Sequence, residues 1–264
     1  MTGDKTQTGD KPGRLDVSAL TLRFGGVTAL NEVSFTVEPG ELMAVIGPNG
    51  AGKTSLLNCL TGVYRPQTGS VRLGAVELAG RRGRAARAGV ARTFQNHGLF
   101  TGLTVLDNLL LGRHRLTRTG IVSGALWWGR ARGEERAERE HVAGIAEMFE
   151  LADVLHEKVT ALPYGVAKRV EFARAIAMEP KLLLLDEPVA GMGFEETVAM
   201  AGHLLDVRER FSCSVVLIDH DMRLVMDLAD RVTVLDFGVV IAAGTPEQVR
   251  TDPKVIEAYL GEEE

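Results

Sequence analysis

The chain of 264 residues is 45% apolar and 25% charged, and its 30 basic and 35 acidic side chains leave a formal charge of −5. That length allows one large domain or a core with an inserted subdomain, and the apolar share excludes disorder for the chain as a whole. The mild acidity argues against a nucleic-acid partner, which calls for a basic face.

In chain order, residues 1–14 (MTGDKTQTGDKPGR) hold no apolar run, so they read as a short disordered arm and not as a secretory signal. Residues 33–37 (VSFTV) alternate apolar and polar, the period of a half-buried strand, and Pro39-Gly40 punctuates it as a turn. Leu42–Ile46 is apolar throughout, as in a strand buried on both faces of a parallel sheet. A glycine-rich stretch at 47–54 follows, then a helix over 55–60 with Gly62 near its end and a strand over 70–78.

The middle of the chain changes character. Thr104 with Asp107 resembles a capping box opening a helix over 105–111. Residues 134–150 form a charged helix with an apolar stripe at Ala137, His141, Ile145, Met148 and Phe149, and 166–178 form a third helix. Between Gly112 and Gly133 lies an arginine-rich stretch with Trp127 and Trp128 and no clear period. Strand patterns then return at 182–185, Ser214–Ile218 and 232–235, with helices over 194–210 and 222–229 between them. That alternation implies parallel crossovers. Residues 232–243 read as a terminal hairpin, and Pro246–Arg250 and Pro253–Leu260 as closing helices. No apolar run approaches the roughly 20 residues of a membrane helix. Cys59 and Cys213 are too few for a disulfide framework or a zinc site, so a reducing compartment is expected. The expected fold class is α/β: a core over 15–94 and 180–264, split by a helical insertion over 95–179.

Gly47-Pro48-Asn49-Gly50-Ala51-Gly52-Lys53-Thr54 fits G-x-x-x-x-G-K-[ST], with Ser55 next on the same helix. Glycines let backbone N–H groups curl round a phosphate with no Cβ in the way, and the helix N-terminus behind them favours an anion. Lys53 can reach the β- and γ-phosphates, and the Thr54 hydroxyl can ligate Mg²⁺. A glycine turn with a surface lysine is the plain alternative; the buried strand before and the helix after decide against it. Residues 182–188 (LLLLDEP) bring acids to the end of an apolar strand, where ligands bind in parallel sheets. Asp186 is the candidate Mg²⁺ holder, and Glu187 is the candidate for polarising an attacking water. His220, at the end of another strand, can reach the γ-phosphate. Gln95 is a candidate water or Mg²⁺ ligand.

Taken in order, these residues resemble the ATP-binding subunits of ABC transporters across 15–261. The matching pieces are GPNGAGKT at 47–54, Gln95 after RTF, LPYGVAKRVEFARA at 162–175 in place of the LSGGQ signature, LLLLDEP at 182–188, and His220. Phe24 stands where the family has an aromatic that stacks on adenine. The resemblance implies a P-loop NTPase (RecA-like) core with an antiparallel β subdomain and an inserted helical subdomain. It also implies that two such subunits close head to tail, each ATP lying between one P-loop and the other subunit's signature, here Leu162, Pro163, Tyr164, Gly165 and Val166. Leu99, Phe100 and Leu103 are either part of a groove for a permease helix or subdomain core.

Two departures concern the residues offered to a partner's ATP. Pro163 and Tyr164 replace serine and glycine of the signature, and Val166 its glutamine. Ala190-Gly191-Met192-Gly193 replaces the Ser-Ala-Leu-Asp loop, so its aspartate is missing. These imply pairing with a different ATPase subunit and a weaker site where this signature is used. The Tyr-Gly signature, the AGM loop, the longer helical region and the ending GTPEQVRTDPKVIEAYLG resemble the branched-chain amino-acid importer ATPases. That implies two permeases, an extracytoplasmic solute-binding protein and a place on the cytoplasmic face of a bacterial membrane. Importers for urea or amides, the lipopolysaccharide exporter ATPase and soluble ABC proteins are the alternatives. The run Arg81, Arg82, Arg84, Arg87 and Arg92 contains no acid and reads as a solvated face, with lipid headgroups or permease loops as its other use.

Overall fold

The computed structural model of the chain describes residues 13–80, 83–93, 98–113 and 128–260. Strands β1 (Leu15–Phe24), β2 (Val27–Val37), β4 (Thr68–Leu73) and β5 (Val76–Glu77) form an antiparallel sheet in the order β2-β1-β4-β5. Strands β3 (Leu42–Ile46), β6 (Val90–Arg92), β7 (Leu182–Asp186), β8 (Ser214–Ile218), β9 (Arg231–Asp236) and β10 (Val239–Gly244) form a second sheet in the order β10-β9-β3-β8-β7-β6. All its pairings are parallel except the terminal hairpin β9–β10. The helices are α1 (Lys53–Leu60), α2 (Arg84–Ala88), α3 (Val105–Arg113), α4 (Trp128–Met148), α5 (Tyr164–Ala177), α6 (Phe194–Phe211), α7 (Met222–Leu228), α8 (Pro246–Arg250) and α9 (Pro253–Leu260).

The apolar strands β3, β7 and β8 are buried at every position and feed two cores by alternation. Leu42, Ala44 and Ile46 join Leu183, Leu185, Val215 and Leu217 in one core, which continues through α3, α4 and α5. Met43 and Val45 join Leu182, Leu184, Val216 and Ile218 in the other, where Leu56, Leu57 and Leu60 of α1 meet the antiparallel sheet. Phe149 and Phe172 meet edge to face, centroids 5.0 Å apart, and tie α5 to the end of α4. Thr104 caps α3 as its sequence suggests, its Oγ1 accepting the Asp107 N–H at 3.1 Å.

Two expectations change, and strand β1 was not expected. The single strand over 70–78 is two strands, because Gly74 turns the chain at φ +56°. The buried stripe of α4 and its end runs through Val142, Ile145, Ala146 and Phe149, while Ala137 is exposed. Strand β1 has no clean alternation to read: Ala19, at φ +44°, makes a bulge that shifts its register against both neighbours. The arm at 1–12, Gln95 and Trp127 lie outside the described residues.

Candidate phosphate-binding site

The loop 47–52 joins the central strand β3 to α1, and close backbone contacts from β9 and β2 leave two of its glycines no alternative. At Gly47 (φ +149°) a Cβ would sit 2.0 Å from the Leu235 carbonyl oxygen of β9. At Gly52 (φ +102°), which precedes α1, a Cβ would meet the Ala29 oxygen of β2 at 2.6 Å. Gly50 (φ +81°) faces open space. The loop is closed by Ala51 N–H to Pro48 O at 3.2 Å and held from outside by Gly238 N–H to Ala51 O at 3.0 Å. Lys53 Nζ donates to Gly47 O at 2.5 Å and Pro48 O at 2.8 Å, so its ammonium lies against the loop it would serve. Asn49 and Thr54 are exposed, Ser55 is half-buried, and no acid stands in the first turn of α1. Backbone amides, an ammonium and a helix N-terminus make this an anion site.

Asp186 ends β7 and is 4% exposed. Its Oδ2 accepts from Arg92 Nη2 at 2.7 Å, and its backbone N–H donates to Thr93 Oγ1 at 3.4 Å. Arg92 Nη1 donates to Asn58 Oδ1 of α1 at 2.8 Å. Arg92 therefore departs from the solvated-face reading of the arginine run: its side chain is 10% exposed and paired. Glu187 follows at φ +48°, its N–H bonded to the Ile218 oxygen of β8 at 2.8 Å. A non-glycine residue in the left-handed region is strain of a kind that collects at functional sites. His220 follows β8 and is mostly exposed; its Nδ1 lies 3.8 Å from Glu187 Oε1 and 3.9 Å from Asp219 Oδ1. Burial pushes the Asp219 carboxyl up, against the Asp221 amide and the His220 charge. Sequence reasoning missed both Arg92 and Asp219 here, because their significance is burial beside the acids.

The signature segment and the loop after Glu187 touch each other within the chain. Tyr164 Oη donates to Ala190 O at 2.8 Å, and Gly191 packs under the Tyr164 ring. A Cβ at Gly165 would fall 2.0 Å from Glu196 Oε1, while Glu196 Oε2 accepts the Gly193 N–H at 3.0 Å. Pro163 precedes α5 and is exposed; Leu162 and Val166 are half-buried against the core. Leu99 is core, Phe100 is exposed, and Leu103 is half-buried. Phe24 is 48% exposed, its ring edge to face with Tyr64 at 5.1 Å. It ends β1, whose partner β2 abuts the phosphate loop through Ala29.

A family model described as ABC transporter matches residues 30–190. The chain belongs to the ABC transporter family. A second model, described as branched-chain amino acid ATP-binding cassette transporter, matches residues 239–264. The chain is 43% identical to the high-affinity branched-chain amino acid transport ATP-binding protein BraF of Pseudomonas aeruginosa, over 94% of this chain and 98% of that one. It is 41% identical, with the same coverage, to LivG of Escherichia coli, which carries the same description. Among solved structures, a nucleotide-free ATP-binding cassette from an ABC transporter is 29% identical with a TM-score of 0.81. That match covers 94% of this chain and 98% of the other. An ADP-bound cassette gives the same identity and score over 95% of this chain and 99% of the other.

As an ABC transporter ATPase domain the chain binds ATP. For a metal, the Thr54 hydroxyl and the Asp186 carboxylate are hard oxygen donors of the kind Mg²⁺ takes. Among the described residues no cluster of three His, Cys, Asp or Glu side chains could hold an ion unaided. Those donors fit an ion that draws its remaining ligands from phosphate and water. Among the described residues no helix is long and apolar enough to cross a membrane.

Proposed function

We propose that the chain is the ATP-hydrolysing subunit of an importer for branched-chain amino acids or a related small polar solute. It would work on the cytoplasmic face of the membrane beneath two permease subunits, beside a second ATPase subunit and supplied by an extracytoplasmic solute-binding protein. The observation that carries this is the match of the C-terminal model at 239–264, together with an intact phosphate loop and acid pair elsewhere in the same chain. In this reading 15–94 and 180–264 form the nucleotide core and 95–179 the helical unit bearing the signature.

In this reading the residues divide the work among them. The loop 47–52 with its N–H groups at 47 and 49–52, Lys53, Thr54 and Ser55 hold the phosphates, and Phe24 offers its half-exposed face to the adenine. Mg²⁺, held by Thr54, Asp186 and Gln95, would supply charge against the transferring phosphoryl group. Glu187 polarises the attacking water, and His220, exposed beside it, moves onto the γ-phosphate. The signature and the 190–193 loop serve the partner's nucleotide, and two features support a weak site there. Pro163 has no N–H to give, and Tyr164 is committed to Ala190 of its own chain.

The test is the reconstituted transporter with its binding protein, assayed against leucine, isoleucine, valine, urea and short amides. Turnover stimulated by a branched-chain amino acid is expected; stimulation by none of the three removes the solute assignment. Glu187→Gln should lower that turnover about a hundredfold or more while nucleotide binding persists. An equal loss from the equivalent change in the second ATPase subunit would retire the asymmetry.

A further inference from the structure

Strand β6 is three residues long, lies at the sheet edge and ends in arginine. That residue and the next grip the end of β7. Thr93 binds its backbone, donating N–H to Leu184 O at 3.0 Å and accepting from Asp186 N–H at 3.4 Å. Arg92 binds its side chain at 2.7 Å and reaches across to Asn58 of the phosphate-loop helix at 2.8 Å. The guanidinium thus joins β6, β7 and α1 immediately behind the nucleotide site. Side-chain exposures of 10% for Arg92 and 5% for Asp186 mean that water screens this pair little.

We infer that Arg92 is a positioning residue that serves as the resident countercharge of Asp186 and sets the site's affinity for the divalent ion. The inference rests on the reading of Asp186 as a metal-holding carboxylate. A buried carboxylate needs a cation or several donors beside it. Arg92 meets that need in the absence of metal and fixes the carboxylate with a planar, multi-donor group. The same positive charge opposes an arriving divalent ion. A neutralised carboxylate is a poor site for a bare ion and an adequate one for an ion already carrying phosphate oxygens. Arg92 therefore biases the site towards metal–nucleotide over metal alone.

The experiment is a Mg²⁺ titration of fluorescent ATP-analogue binding by the purified full-length chain. If Mg²⁺ leaves the wild-type affinity unchanged, the metal reading of Asp186 fails. If it tightens binding, Arg92→Gln, which keeps polar atoms near Asn58 and Asp186 but removes the charge, should lower the Mg²⁺ midpoint about tenfold. That is the effect of one charge beside a divalent ion even in strongly screened surroundings. Arg92→Lys, which keeps the charge, should stay near wild type. An unchanged or raised midpoint in Arg92→Gln, or an equal shift in Arg92→Lys, overturns the inference, since a purely structural arginine would alter the melting temperature and leave the midpoint alone. Should the glutamine variant not fold, Asn58→Asp carries the test. A carboxylate on the far side of the guanidinium offsets its charge, so the midpoint again falls, and a midpoint that stays put overturns the inference.

Discussion

Asp219 lies 1% exposed at the end of β8, one residue before His220. It accepts the Asp221 N–H at 2.9 Å, while its Oδ2 has no hydrogen-bond partner among the described residues. Desolvation outweighs the bonds it makes, so its pKa is raised on folding. An acid whose pKa is raised in the folded state binds more protons there than in the unfolded chain. Its contribution to stability therefore falls as pH rises through the interval between the ordinary carboxylate value and the raised one. At neutral pH the charge is a cost. Asp219→Asn keeps an acceptor for Asp221 and removes the charge, and should raise the melting temperature at pH 7 by about 2–4 °C. The gain should shrink as pH is lowered through that interval; thermal scans of both proteins across pH 4–7 check it. A gain independent of pH would show that packing and not charge is at work.

The helix α5 and the loop at 190–193 hold the two departures from the family pattern, and the fold joins them into one surface. Tyr164 in place of glycine gives a hydroxyl to Ala190, and Gly193, in place of aspartate, gives its backbone N–H to Glu196. Each substitution looks like a loss when read along the chain; together they make an internal brace. Tyr164→Phe removes the hydroxyl alone. It should cost about 0.5–1 kcal/mol, the low end of a hydrogen bond because the ring is part-exposed, and should speed amide exchange within 189–193. Exchange mass spectrometry resolves that segment, and unchanged protection there would mean the bond does not hold the loop. At this level the sequence was most legible where burial is uniform. Strands β3, β7 and β8 and the cap at Thr104 follow from pattern and chemistry. Strand β1 was hidden by its bulge at Ala19, and β6 by its brevity.

One sheet serves two cores, and each cysteine is buried in a different one. Cys59 of α1 lies in the core shared with the antiparallel sheet, and Cys213, just before β8, in the core shared with α3, α4 and α5. Burial pushes the Cys59 thiol up to about 12 and the Cys213 thiol up to about 11. Neither presents appreciable thiolate near neutral pH, so neither should alkylate while the chain is folded. Strands β3, β7 and β8 alternate residues into both cores, so losing one strips a face from the other. Both thiols should become reactive at the same denaturant concentration. Peptide-resolved alkylation along a urea series reads the two midpoints, and a gap of more than about 1 M would show that the cores open separately.

What the sequence determined by itself was local chemistry: a glycine-rich anion loop between a buried strand and a helix, an acid pair at a strand end, and an ordered set of motifs. Those depend on neighbours in the chain, where steric freedom and hydrogen-bonding type are decided. The tertiary structure decided which charges are buried together. Arg92 joined Asp186 and left the solvated run to which its neighbours in sequence assigned it. Tyr164 met Ala190 across 26 positions, and Asp219 became a desolvated carboxylate beside His220. Electrostatic strength depends on distance and solvent exclusion, and both are set only when strands far apart in sequence come to lie side by side.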